Sequence, residues 1–204
     1  MDALRLIKST RHGLTEARSV PQVLAEAWQA CALVEAVALV VALELTELAV
    51  RDGSGCGVTE IARALAEAAG HAAACVGRPP DDGAGPSRAE RLTVLVELAV
   101  TIRELRILVQ ETAESLIVLA CGANEQELYW RCIDSVDAAA ECQDLATQLL
   151  RAVDPACREL QPAAGEWQAA ADPETARDAA DAAAPAAADT AADTADAAET
   201  GSAS

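Results

Sequence analysis

Thirteen residues, "CALVEAVALVVAL" from Cys31 to Leu43, carry a single charge, Glu35. On a helical wheel Glu35 lies beside Trp28, Cys31 and Leu39 on the apolar side, about 180° from Glu26. A carboxylate in that position must find a partner or take a raised pKa. Two chemistries follow. One is a structural ion pair with Arg106, which sits at the edge of the core face of a later helix, with Arg11 and Arg18 of the first helix as alternative partners. The other is a tuned acid or ligand in a small-molecule pocket. The candidate residues are Glu35, Arg106 and Trp28. No His or second carboxylate shares their face, so a structural pair, or a Glu reaching the bundle edge, is the favoured reading.

A second constellation lies near residue 140. Asp134, Asp137, Glu141 and Asp144 fall on one helical face, with Trp130 on the same stripe and Tyr129 beside it in sequence. Such a face is ordinarily solvated; a basic partner or a weakly held divalent cation is the functional alternative. We expect a neighbouring element to cover Trp130. Left open, it would anchor a partner.

Other constellations are excluded. A di-iron bundle needs Glu-x-x-His pairs on two helices, and the chain has only His12 and His71, both read as surface residues. Cys132 and Cys142 fall with Val136, Ala139, Ala146 and Leu149, which is core use rather than a zinc ligand set. "VTEIARAL", from Val58 to Leu65, looks like the first half of a helix-turn-helix, but the residues after it lack side chains for bases or phosphates. "DGSGCG" lacks the GK[ST] of a phosphate loop and reads as a turn. No catalytic residue, cofactor or metal site is expected.

Composition narrows the partners further. The net charge of −18 argues against nucleic acid and anionic membrane, since both are bound through basic patches. The best apolar window, Ala30 to Leu48, contains Glu35, Glu44 and Glu47, which argues against a membrane span. Seven Cys, an odd number with no CxxC pair, point to a reduced, cytoplasmic protein using Cys as a small hydrophobe. A protein partner or self-association remains, and a small molecule is not excluded.

These residues must be held by helices. Ala supplies 50 of 204 residues and Phe is absent, a composition that favours helix over strand. The pattern predicts a first helix from about Asp2 to Arg18 and a second from Ser19 to about Val50. A short third runs from about Thr59 to Ala69. A fourth, opened by the capping-box spacing of Ser87 and Glu90, runs to Cys121, and a fifth from Asn124 to Val153. The second helix has a polar stripe interrupted by Leu33, Val37 and Val40, which predicts either cover by another element or a homodimer contact. Residues 76–88, rich in Pro, Gly and Asp, read as an exposed loop. Residues 163–204 hold nine acidic residues, one Arg and no Leu, Ile or Val, and read as a disordered acidic tail.

The opening "MDALRLIKSTRHGLTEARSVPQVLAEAWQA" resembles the start of small, uncharacterised helical proteins from high-GC Gram-positive bacteria. The resemblance implies a helical cytoplasmic protein and carries no residue roles. The sequence therefore specifies an all-α antiparallel bundle of four principal helices plus one short helix, over residues 1–162. Its expected function is that of a non-enzymatic protein-interaction or scaffold module. The alternative is a small-molecule-binding protein or enzyme with a pocket around Glu35.

Overall fold

A computed structural model of the chain describes residues 1–52, 57–80 and 87–154. The expected tail, the end of the bundle domain at residue 162 and part of the expected loop lie outside the described residues. Those that are described form five α-helices: α1 (Ala3–Glu16), α2 (Val20–Asp52), α3 (Gly57–Val76), α4 (Leu98–Cys121) and α5 (Gln126–Val153). A single 3-10 turn (Ala89–Arg91) precedes α4. The protein is all-α.

Neighbouring helices α2, α3, α5 and α4 run alternately up and down. Gly70 of α3 faces Glu35 of α2, Arg131 near the start of α5 bonds Val76 at the end of α3, and Arg103 of α4 bonds Asp154 just past α5. Short or steeply turning connections force such neighbours to be antiparallel. Helix α1 packs on both α2 and α4. It runs parallel to α4, because the long chain between α3 and α4 returns to the end where the N-terminus lies. There Thr93 N–H donates to Met1 O at 3.0 Å and Ala3 N–H to Val94 O at 3.1 Å.

The core is aliphatic and alanine-rich. Leu33, Val34 and Val37 of α2, Leu65 and Ala69 of α3, Ile102, Leu105 and Leu116 of α4, and Ala146 and Leu149 of α5 are sealed from water. Small Ala side chains let helix axes approach, and the larger aliphatic residues fill the space between them. Along α4, Ile102, Leu105, Val109 and Leu116 are buried, while Leu98 at its start and Leu95 just before it are half-buried. Two buried hydroxyls bond within their own helices, Thr10 donating to Leu6 O at 2.9 Å and Thr112 to Leu108 O at 2.8 Å, whereas the buried Thr101 hydroxyl finds no partner among the described residues.

Three boundaries differ from expectation. The third helix does not stop at Ala69; it runs 20 residues to Val76. The Gly70–His71 step that resembles a helix end is helix interior, and the true stop is Gly77, whose φ of +79° is the left-handed conformation that ends helices. Val76, expected in the loop, is buried. The short helix of the five is α1, with 14 residues. Ser87 does cap locally, its Oγ accepting from Glu90 N–H at 3.3 Å, but it opens only the 3-10 turn. The next residues, "LTVLVE", include β-branched side chains that favour extended backbone, and Val94 bridges to Asp2 before α4 begins at Leu98. At the fifth helix, Glu125 rather than Asn124 takes the cap position.

The apolar middle of α2 is covered within the chain. Leu33 and Val37 are fully buried and Val40 half-buried, with α1 and the 3-10 turn both packed on α2. Of the two expectations for that stripe, cover by another element is what its side chains show, since they already have intramolecular neighbours.

Candidate functional site

Glu35 and Trp28, seven residues apart, stand on the same flank of α2, facing α3 and the residues after it. Glu35 is half-buried. Its carboxylate lies against Gly70, where a Cβ would come within 3.3 Å of Oε1. The absence of a side chain at Gly70 is what gives the carboxylate room. Trp28 lies under the guanidinium of Arg78, 5.6 Å from the ring centroid, a cation–π contact.

The expected Glu35–Arg106 pair is not formed. Arg106 is exposed on α4, and no ion pair among the described residues reaches Glu35. Arg11, the alternative partner, is taken: it forks onto Glu111 at 2.6 and 2.8 Å and onto Glu104 at 2.9 Å, tying α1 to α4. The hydrogen bond to Glu111 is the main cause raising the Arg11 pKa. Arg18 is exposed beyond the end of α1.

A pocket around Glu35 is not supported either. An enclosed cavity of about 10 Å³ lies between α2, α3, α4 and α5, lined by Cys31, Val34, Thr112 and Cys142 among others, and neither Glu35 nor Trp28 lines it. A space that size holds at most one water. The larger openings are grooves at the surface. One of about 590 Å³ lies between the α1–α2 turn and the α4–α5 turn, and one of about 270 Å³ lies between the start of α2 and residues 77–80.

The structure leaves the α5 constellation in the open. Asp134, Asp137, Glu141 and Asp144 are all exposed on one face. Trp130, expected to be covered, is 53% exposed, and Tyr129 beside it is exposed too. Their rings meet edge to face at a centroid distance of 5.3 Å. The reason is positional: Trp130 lies on the side of α5 opposite its buried residues Cys132, Ala139 and Cys142. Indole and phenol so placed are held by each other rather than by the core.

Three inter-segment clamps have no periodic signal in the sequence. Besides Arg11, Arg88 grips the carboxylate of Glu26 through both guanidinium nitrogens, one at 3.0 Å. Arg131 donates to the Val76 carbonyl, its Nε at 2.7 Å, satisfying an orphan acceptor at the end of α3. A second grouping is also invisible in one dimension: Cys75 Sγ lies 3.7 Å from His71 Nε2, with Asp134 facing the thiol. Burial first, and Asp134 second, push the Cys75 thiol up. A nucleophilic Cys needs the opposite shift, so this trio is not an activated nucleophile. In the core, burial pushes Cys31 and Cys142 up to about 12. Among the described residues no group of three or more His, Cys, Asp or Glu could hold a metal ion, and no helix is long and apolar enough to cross a membrane.

Comparison with family models matches residues 1–152 to DUF6099, a family of unknown function. The chain belongs to this family. The match begins within the opening thirty residues that resemble an uncharacterised helical family and ends one residue before α5 does. The matched region thus spans the helices α1 to α5, all but the last residue of α5, and contains Glu35 and the α5 face. No curated protein and no solved structure matches the chain.

Proposed function

We propose that this chain is a non-enzymatic protein-interaction module that docks a basic, amphipathic helical segment of a partner protein on the outer face of α5. The observation that carries the reading is Trp130: a large aromatic side chain, 53% exposed, at the head of four exposed carboxylates, none of which forms a salt bridge among the described residues. Trp is the side chain most enriched at binding hot spots, and exposed like charges on one face favour a partner of opposite sign. From Trp130 to Asp144 the stripe is about 21 Å long, which matches four turns of a partner helix. The net charge of −18 steers cationic partners toward it. Five free cysteines among the described residues fit a reducing compartment such as the cytoplasm.

The test is fluorescence anisotropy with a labelled helical peptide carrying Leu along one edge and Arg along the other. Binding should weaken as salt is raised, and Trp130→Ala should weaken it by about tenfold or more, the scale of an interface anchor. Equal affinity for Trp130→Ala and for Asp134→Asn/Asp137→Asn would refute the α5 site.

A further inference from the structure

The groove of about 270 Å³ between the start of α2 and residues 77–80 reverses the charge of the molecule around it. Its walls are apolar, with Val20 and Leu24 of α2 on one side and Pro79 and Pro80 on the other. Its charged side chains are Arg78 and Arg131, and no carboxylate among the described residues lines it. Acidic residues outnumber Lys and Arg by 33 to 15 in the whole chain, so a groove with two cations and no anion is a local exception. Glu26, next in sequence to the groove residue Ala25, is turned to Arg88.

Both guanidiniums are held in place by uncharged groups. Arg131 donates from Nε to Val76 O at 2.7 Å and from Nη2 to the same oxygen. Gly77 permits that approach, since a Cβ there would stand 3.1 Å from Nη2. A carbonyl carries no net charge, and Arg131 forms no ion pair with any described carboxylate. Its positive charge is therefore uncompensated, and its Nη1 has no partner among the described residues. Arg78 lies over the Trp28 ring. The start of α2 adds to the field: its first turn holds no acidic residue, so the positive end of the helix dipole reaches the groove unopposed.

We propose that this groove binds a small organic anion with an apolar body, its head a carboxylate or a phosphate monoester. Arg131 takes the head through Nη1 and the free N–H of Nη2, the fork that guanidinium offers to both kinds of oxyanion. The body lies along Val20, Leu24, Pro79 and Pro80. The volume is at the lower edge of small-molecule sites, which limits the ligand to about ten non-hydrogen atoms. Asp81 and Asp82 follow Pro80 in the chain, and their charge opposes the anion from close by. The site is independent of the α5 surface, since neither Trp130 nor the four carboxylates line the groove.

Isothermal titration calorimetry of the full chain with octanoate and with octyl phosphate tests it. At least one should bind at a single site with a Kd on the order of 0.1 mM, and the tighter probe names the head group. Acetate, which lacks the body, and octanol, which lacks the charge, should each bind at least about tenfold more weakly. Arg131→Lys keeps the charge, loses the fork and should weaken binding about tenfold. Because Arg131 also clamps Val76, Val20→Glu is the second variant. It sets a carboxylate at the start of α2, where the dipole favours it, so circular dichroism should be unchanged while binding falls at least about tenfold. Asp81→Asn/Asp82→Asn should tighten binding about threefold, and Trp130→Ala should leave it unchanged. Failure of both probes to bind up to about 10 mM overturns the proposal. So does octanol or acetate binding as tightly as octanoate, and so does an affinity indifferent to both Arg131→Lys and Val20→Glu.

Discussion

Replacing Gly70 by Ala separates the two roles that Glu35 can have. Gly70 is helix interior, and Ala there gains about 0.8–1.0 kcal/mol of helix propensity. Against this, the new Cβ meets Glu35 Oε1 at 3.3 Å, its Cδ at 3.4 Å and Oε2 at 3.6 Å. The carboxylate must move by a few tenths of an ångström. It ends a flexible chain, it is only half-buried, and no described residue pairs with it, so the move costs about 0.5 kcal/mol or less. Gly70→Ala should therefore stabilise the protein by roughly 0.5 kcal/mol, and by the full gain of about 1 kcal/mol in a Glu35→Ala background. For a domain of this size the melting temperature should rise by about 1–4 °C. Urea titrations of the four proteins of the cycle supply the free energies, and calorimetry the midpoints. If Gly70→Ala instead lowers the midpoint, and Glu35→Ala relieves the loss, the carboxylate is held in place. The account of Glu35 as an unpaired edge residue would then be wrong, and a ligand-binding role would return.

Two further outcomes follow from the clamps and the thiols. Arg11→Ala leaves Glu104 and Glu111 facing each other without their cation. Because all three side chains are a quarter to a third exposed, water screens the loss, which should be about 1 kcal/mol. It should shrink in molar salt, and a salt-independent loss would point to packing of the Arg stem instead. The second outcome is alkaline unfolding. Cys31 and Cys142 are raised from 9.0 to about 12 by burial, so the folded state holds protons that the unfolded chain releases. Their contribution is complete below pH 9 and declines as pH rises from there toward 12, by about 1.4 kcal/mol per pH unit for each thiol. Melting midpoints should fall steeply above pH 9, and Cys31→Ala/Cys142→Ala should flatten that fall. An equal slope in the double variant would remove the thiols as its cause.

Much of the protein is legible one residue at a time. The absence of Phe, the abundance of Ala and the 3.6-residue periods determine an all-α chain, because helix formation and the facing of apolar stripes are local properties of sequence. The acidic face of α5 was legible for the same reason: residues three and four apart share a face whatever the fold. Even the apolar interruption of α2 at Leu33 and Val37 marked a surface that something had to cover. Tertiary structure alone decided what did. It put α1 and the 3-10 turn over that stripe and left the next face, Leu39 and Leu43, in water. It carried α3 through Gly70, which packs against Glu35 of another helix. It gave Arg11 to Glu104 and Glu111 instead of to Glu35, and it uncovered Trp130. These outcomes join residues tens of positions apart. Which charges and apolar faces meet depends on the order in which helices pack and on where long connections return, and no period along the chain encodes that order.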